Sequence, residues 1–344
     1  MLSGTAFAQS TPTELADMTL EDLLSFEITE ERTNSDGESR KWSFAYTYRR
    51  LSSGQYRSGT QDFTFDEVLF SPGETRTLQN FPVVPTFICQ NVHAFSTSYA
   101  VSKSINLSLV VPYIAQGTDH ISSVPNFPEF LLKSKGVGDI GLSASYLKRL
   151  TPDSALQFNG GIRVPTGSID QMGDTPRNGA GTLERLPYTM QIGSGTVDLT
   201  ASANYSRKFN DVQVGLNANT TIRTGMNDNN YRLGNNYGLA ASVQYTKHKH
   251  IQPGIRVNFR EIERIKGADL SLLVPAPIPF PAGITNPDNY GGEKVNIAAL
   301  VKICPEKDCK VSFSGEYGIP IYQNLNGIQP QDRNYVSFSA ALNF

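Results

Sequence analysis

From residue 42 to the C-terminus, apolar and polar residues alternate in repeated runs. Side chains on a β-strand point alternately to the two faces of the sheet, so each run predicts a strand with one apolar and one polar face. Asn, Gln, Thr, Ser, Gly and Arg occupy the polar positions, as expected for a face in contact with water. The predicted strands are 42–51, 85–100, 104–114, 138–149, 154–165, 195–207, 212–223, 236–246, 251–262, 295–303, 311–321 and 335–344.

The connections between these strands are alternately short and long. Short turns lie near residues 103, 152, 210, 247–250 and 304–309, and long polar loops at 53–82, 115–137, 167–194, 224–235, 267–293 and 323–334. A soluble β-sandwich also alternates, but it has no reason to keep two classes of connection, whereas outer-membrane barrels have short periplasmic turns and long outer loops. We therefore predict an all-β protein, a transmembrane antiparallel β-barrel of about twelve strands in the outer membrane of a Gram-negative bacterium.

The last predicted strand sets the orientation of the barrel. Val336, Phe338, Ala340, Leu342 and the C-terminal Phe344 share one face. A closing strand with an aromatic C-terminal residue resembles the signal by which the barrel-assembly machinery recognises its substrates. We expect Phe344 at the periplasmic rim, with the short turns in the periplasm and the long loops outside the cell.

The first forty residues differ from the rest of the chain. An Ala-Phe-Ala sequence at positions 6–8 is typical of a signal-peptide cleavage site, so residues 1–8 are interpreted as the remainder of a signal peptide. Residues 9–40 are polar and charged, with Leu and Met at roughly helical spacing. They predict a short helical or flexible periplasmic segment or, alternatively, a plug that narrows the lumen of a barrel formed by residues 41–344.

Composition excludes two further classes of protein. With 18% charged residues and a mean hydropathy of −0.30, the chain is too polar for a bundle of membrane helices. Its net charge of −2 provides no basic surface, so nucleic acid is not an expected partner.

Two of the three cysteines lie close together. Cys304 and Cys309 frame a short turn, a spacing that predicts a disulfide in an oxidising compartment. A metal site at this turn would require further Cys or His ligands nearby, and the sequence provides none. We expect no metal and no cofactor.

Several segments resemble a family of outer-membrane barrels associated with the meta-cleavage pathway of phenol degradation. The similar segments are VVPYI (110–114), GVGDIGLSASY (136–146), GGIRVPTG (160–167), LPYTMQIGSGTVDL (186–199) and IPIYQNLNG (319–327). The resemblance spans roughly residues 85–344 and is most specific over 136–199. It implies the barrel fold and the passage of an aromatic compound or another small solute. A fold hosts many functions, so the site needs a separate argument.

Charged residues recur on the polar face of the predicted strands. By parity, the inward-facing candidates are Arg163, Arg223, Arg256, Arg260, Asp139, Asp198 and Glu316. Two interpretations are open, namely a salt-bridge network that braces the wall and a constriction that selects solutes by charge. Because twelve strands enclose less space than the roughly 16–18 strands of open porins, we expect a narrow or plugged lumen.

Candidate catalytic residues are sparse. His120 beside Asp119 and Ser122 is the arrangement that suggests a hydrolase, and His248 and His250 lie in a basic turn without a third ligand. An enzyme would need a nucleophile and a base, or a metal, at one site, so we predict that the chain is not an enzyme.

The predicted function is an outer-membrane channel for a small solute, in contact with membrane lipid. The alternative is a closed barrel that acts as a scaffold or sleeve for periplasmic or surface protein partners. The apolar, proline-rich segment 270–284 is unusual for a loop in water and either folds into the mouth of the barrel or contacts a partner.

Overall fold

A computed structural model describes residues 41–179, 181–306 and 309–344. The predicted signal-peptide remainder and the predicted helix or plug at 9–40 lie outside these ranges. The strands are, in chain order, β1 (Trp42–Gly59), β2 (Gln61–Phe63), β3 (Val83–Ala100), β4 (Ile105–Ser122), β5 (Glu129–Val137), β6 (Ile140–Thr151), β7 (Ser154–Val164), β8 (Met172–Asp174), β9 (Leu183–Arg185), β10 (Val197–Phe209), β11 (Val212–Thr224), β12 (Tyr231–Arg232), β13 (Asn236–Tyr245), β14 (Ile251–Ile262), β15 (Lys266–Gly267), β16 (Gly292–Ile303) and β17 (Val311–Asn343).

Helical structure is confined to the connections. One turn of α-helix spans Phe65–Val68, and single 3₁₀ turns span Tyr188–Met190, Leu270–Leu272, Gly283–Thr285 and Pro287–Asn289. Within the described ranges, none of these helices is long and apolar enough to span a membrane.

Eleven of the strands close one antiparallel barrel, in the order β1-β3-β4-β6-β7-β10-β11-β13-β14-β16-β17, with β17 paired again to β1. The strand β17 crosses the wall twice. Its first part pairs with β16 as far as Leu325, and its second part pairs with β1 from Gln329 to Asn343. Since β1 and β16 run in opposite directions and both are antiparallel to β17, the chain must reverse between these two parts. Gly327, with a φ of 64°, lies at this reversal, so the wall has the twelve predicted crossings.

The strands β5 and β6 share one partner. β5 pairs with the outer half of β4 and β6 with its periplasmic half, so together they form one long strand that is interrupted at Gly138 and Asp139. The predicted loop 115–137 is therefore mostly a hairpin extension of β4 and β5, and the predicted loop 323–334 is the hairpin end of β17. Alternation alone missed the extension of β4 and β5 because its outward positions are also polar, as at Asp119, Lys133 and Lys135.

The outer face of the wall is apolar and the inner face is polar. The exposed large apolar side chains occupy the outward positions of the strands, among them Phe44, Phe95, Leu107, Leu142, Phe158, Leu199, Leu216, Leu239, Ile255 and Phe338. Their inward neighbours are mostly Asn, Gln, Ser, Thr and charged residues. An exterior of this kind matches a lipid environment.

Aromatic residues cluster at the end where the chain closes. The ring of Phe344 stacks on Phe44 at 5.5 Å, and its backbone pairs with Trp42. Tyr146 and Tyr245 are exposed near the same rim, as expected for an aromatic girdle. The predicted disulfide is also present, joining Cys304 and Cys309 across the turn that links β16 to β17.

Candidate functional site: the lumen and its closure

The periplasmic half of the lumen is polar. Its wall is lined by side chains that alternate with the lipid-facing residues and are only partly buried: Gln157, Asn159, Asn204, Gln213, Asn217, Asn219 and Gln244. They form hydrogen bonds with one another, as from Asn219 to Asn217 and from Asn217 to Asn204, both at 2.6 Å. These amides therefore form a hydrogen-bonded polar layer on the inner face of the wall.

The inward side chains above these amides are enclosed. Along the inward face of β10, Asn204 is partly exposed, Ser202 and Thr200 are buried, and Asp198 has no exposed surface. On β11, Thr221 and Arg223 are likewise enclosed. The charged layer is therefore shielded from water, as is Ser206 nearer the periplasmic end of β10.

The charged layer begins with three residues in register. Arg163 on β7 lies opposite Asp198 on β10, which in turn lies opposite Arg223 on β11. Asp198 and Arg223 form an ion pair with both side chains fully buried, and the hydroxyl of Thr196 donates to Asp198 at 2.7 Å. These three sequence-predicted residues are brought together as one group.

The same layer continues on the other side of the lumen. Arg260 on β14 is partly buried and lies opposite Lys294 on β16. Lys294 forms a 2.7 Å ion pair with Asp332, and both side chains are buried. Neither Lys294 nor Asp332 was predicted, because the predicted strand started one residue after Lys294 and Asp332 fell in a predicted loop. Extending the alternation of β16 by one residue would have found Lys294.

A second network lies in the wall formed by β14, β17 and β1. Arg256 donates to Glu316 at 3.1 Å, and the hydroxyl of Tyr335 donates to the same carboxylate. The guanidinium of Arg49 lies 4.3 Å from the centre of the Tyr335 ring. Arg256 and Glu316 were predicted, whereas Arg49 and Tyr335 were missed, although the parity of their strands places both inward.

One outer connection folds into the barrel. Residues 186–194, which follow β9, are buried without interruption. The hydroxyl of Ser134 donates to the backbone carbonyl of Met190 at 2.7 Å. The side-chain amide of Gln116 donates to the backbone carbonyl of Gln191 at 3.3 Å. These bonds attach the segment to the inner wall on β4 and β5.

Ile192 is the apolar centre of this closure. It packs in one cluster with inward residues of five wall strands: Leu51, Val92, Ile114, Ala298 and Tyr335. Side chains from β1, β3, β4, β16 and β17 therefore meet around a loop residue inside the lumen. We call residues 186–196 the inner loop.

Asp139 holds the end of the inner loop. It occupies the interruption between β5 and β6, where its carboxylate accepts hydrogen bonds from the amide of Gly167 at 2.9 Å and from the amide and hydroxyl of Ser194 at 2.8 and 2.7 Å. The sequence predicted an inward charge at this position. The structure places it as an anchor that joins the two ends of the connection between β7 and β10.

The remaining outer connections cover the inner loop. Tyr188 makes edge-to-face contacts with Tyr231 at 4.7 Å and with Tyr290 at 5.7 Å. Arg185 forms a 2.9 Å ion pair with Asp269. Burial raises the pKa of Tyr188 to about 12 and raises that of Tyr231 as well, so these hydroxyls remain protonated.

A small pocket of about 30 Å³ lies among these connections at the mouth. It is lined largely by apolar and proline side chains, including Val83, Phe130, Leu132, Pro176, Pro281 and Ile284. His120 also lines it, stacked on Phe130 with ring centres 4.5 Å apart. The Nδ1 atom of His120 is buried with no hydrogen-bond partner, and burial lowers the pKa of this residue to about 4. The pocket is therefore lined by an imidazole that stays neutral at pH 7.

The proline-rich segment 270–284 is partly exposed and partly buried at this mouth. Residues 275–277 are exposed, whereas residues 281–286 are buried, and Ala282 pairs with Val83 at the start of β3. The part nearest the barrel thus folds into the mouth.

The residues considered for hydrolysis are not assembled into a site. His120 is buried on the inner face, while Asp119 is exposed on the outer face of the same strand. Among the described residues, no group of three His, Cys, Asp or Glu side chains is placed to hold a metal ion.

Comparison with known proteins gives similarity in structure only. No protein-family model matches the chain, and no curated protein matches it. The structure is similar to that of an outer membrane channel from Pseudomonas putida F1, with a TM-score of 0.57, 13% identity, and coverage of 89% of this chain and 96% of that one. The chain is an outer-membrane β-barrel. The Ralstonia pickettii toluene transporter TbuX aligns with a TM-score of 0.44 and 10% identity over 97% of this chain and 92% of its own.

Proposed function

We propose that this barrel is an outer-membrane channel for a small solute, held closed by its own inner loop. The observation that carries the proposal is the inner loop, which is buried inside the barrel with Ile192 packed against Leu51 and Tyr335 of the wall. A lumen obstructed by a loop that belongs to an outer connection supports a pathway with a movable barrier. The loop is attached by hydrogen bonds and packing, which can exchange without breaking the wall.

The charges beside this barrier favour anions. The described layer contains Arg163, Arg223, Arg260 and Lys294, against the carboxylates of Asp198 and Asp332. A solute passing this layer meets guanidinium and ammonium groups, and guanidinium groups are suited to hold a carboxylate or sulfonate. We therefore propose that the channel prefers anionic over cationic solutes.

The mouth pocket favours a flat apolar group. The pocket beside Phe130 and His120 has a volume of about 30 Å³ while the outer connections are packed together, and its largely apolar lining suits an aromatic ring once they move apart. Together with the resemblance to barrels of phenol degradation, this supports an aromatic solute, for which an aromatic anion satisfies both the pocket and the charged layer.

Solute flux into proteoliposomes tests the proposal. Benzenesulfonate is permanently charged and does not cross lipid unaided, so its entry reports on the protein. We expect benzenesulfonate to enter faster than methanesulfonate or arabinose. Phe130→Ala should reduce this preference, whereas Phe127→Ala, which removes a neighbouring ring outside the pocket lining, should keep it. Equal entry of the three solutes would reject the aromatic anion, and no entry at all would favour the scaffold alternative.

A further inference from the structure

The outer face of the wall carries one basic region at its extracellular edge. Arg50 on β1 lies in register with Asn91 on β3, Ala115 on β4 and Lys135 on β5, and Lys133 occupies the next outward position above Lys135. The alternation with buried Leu51, Leu132 and Ser134 directs all three basic side chains outward, and all three are exposed. We call Arg50, Lys133 and Lys135 the outer basic patch.

The height of this patch corresponds to the membrane boundary. Ile105 lies exposed at the periplasmic start of β4, and Ala115 lies ten residues farther along the strand. Ten residues of a strand tilted by about 40° rise about 25 Å, which is the height of the apolar band of an outer-membrane barrel. The outer basic patch is therefore level with the headgroups of the outer leaflet.

An aromatic surface lies directly below the patch. Tyr48, His93 and Tyr113 share the next outward level, and Tyr46 packs against Phe95 at 5.3 Å below them. The hydroxyl of Tyr48 points up the wall and donates to Asn91 at 2.8 Å. Between the basic side chains, the floor at Cys89, Ala115 and Gly117 is formed by small residues that leave space for a headgroup.

The charges of the patch have no carboxylate partner among the described residues. Within the part of the chain that the structure describes, no ion pair joins Arg50, Lys133 or Lys135 to a carboxylate, and Asp119 is the outward carboxylate one level above Lys133. On another part of the wall, the outward residues in register near the same edge are Glu261 and Glu293. The outer edge is thus basic on one face and acidic on another.

We propose that the outer basic patch binds a phosphorylated glycolipid of the outer leaflet, with its phosphates on the basic side chains and its acyl chains along the aromatic surface. Basic residues at a membrane surface attract anionic headgroups, and this region combines them with an apolar wall directly beneath. The proposal is independent of solute passage, because no residue of the patch faces the lumen.

Binding of lipid A to the full-length protein in detergent, followed by native mass spectrometry, tests this site. The triple substitution Arg50→Gln, Lys133→Gln and Lys135→Gln should weaken binding of bisphosphorylated lipid A by on the order of 100-fold, from the contribution of three surface cations. The single substitution Lys135→Gln should have an intermediate effect. A control with the same charge change, Lys103→Gln, Lys148→Gln and Arg207→Gln at the periplasmic end, should bind as the wild type does.

Two further ligands identify the chemistry that is recognised. Dephosphorylated lipid A should bind the wild type as weakly as lipid A binds the triple variant, and inorganic phosphate alone should not compete at equal concentration. The proposal is overturned if the triple variant keeps wild-type affinity, if the periplasmic control loses as much, or if removing the phosphates changes nothing. Competition by inorganic phosphate at equal concentration would instead indicate a free-anion site and also overturn it.

Discussion

Asp198 and Arg223 lie directly opposite each other on β10 and β11, and their ion pair is fully enclosed inside the barrel. Removing one member leaves a buried charge, so Arg223→Met should lower the free energy of unfolding by about 3 kcal/mol. Urea unfolding of the protein in liposomes measures this loss. The exposed pair of Lys247 and Asp211, 4.0 Å apart, provides the control, since Lys247→Met should cost less than about 1 kcal/mol.

The two members of this buried pair should also be coupled. The double variant Asp198→Asn and Arg223→Met removes both charges, and we expect it to be more stable than Arg223→Met alone. If the loss of stability in the double variant equalled the sum of the losses in Asp198→Asn and Arg223→Met measured singly, the two residues would not interact as their geometry indicates.

The ring of Tyr335 lies so close to position 318 that only glycine fits there. A Cβ atom at position 318 would lie 2.3 Å from that ring, whereas one at Gly160, which faces lipid, would meet nothing within 4 Å. Gly318→Ala should therefore destabilise the barrel by about 1–3 kcal/mol, the usual range for overpacking, and Gly160→Ala should be nearly neutral. Midpoints of urea unfolding compare the two variants, and equal midpoints would contradict the contact.

Asp139 fixes the inner loop through Gly167 and Ser194. Asp139→Asn keeps the size of the side chain but weakens charge-assisted hydrogen bonds, so the loop should leave the lumen more often. We expect more frequent openings in single-channel recordings, with an unchanged open conductance. Asp153→Asn in a periplasmic turn is the control, and identical opening frequencies for Asp139→Asn and the wild type would show that Asp139 does not hold the closure.

The buried imidazole of His120 should make the outer end of β4 sensitive to acid. Its pKa is about 4 in the folded protein, so it stays neutral where an unfolded histidine, with a pKa near 6.5, takes up a proton. Stability should therefore fall as pH decreases from about 6.5 to 4, by about 3 kcal/mol in total.

Thermal unfolding at pH 7 and pH 4.5 measures this effect. His120→Phe keeps the stacking on Phe130 and removes the titrating group, so it should lose less stability than the wild type between the two values. His248→Gln, in the exposed periplasmic turn, should behave as the wild type. If His120→Phe lost as much stability between pH 7 and pH 4.5 as the wild type does, the pH dependence would belong to other groups.

Strand alternation predicted the fold because each wall residue faces either lipid or the lumen. It placed Arg163, Asp198, Arg223, Arg256 and Glu316 on the inner face, where the structure has them. It could not predict which of these residues pair, because pairing depends on register across strands that are far apart in sequence.

Strand alternation could not predict that the inner loop closes the lumen. Residues 186–194 have no strand period, and their burial results from contacts with several wall strands and with other loops. Lys294 and Asp332 lie 38 residues apart, and their pairing follows from the reversal of β17 at Gly327. The mixture of Leu, Tyr, Met and Ile in a supposedly exposed loop was the available signal.

Single-channel conductance of the refolded full-length protein tests the central claim most directly. The informative variant replaces residues 186–192 by a Gly-Ser sequence of equal length and leaves the anchor between Asp139 and Ser194 in place. We expect brief, rare openings in the wild type and a steady anion-selective conductance in the variant. A folded variant that remains silent would contradict the account, since the inner loop would then not be the barrier in the lumen.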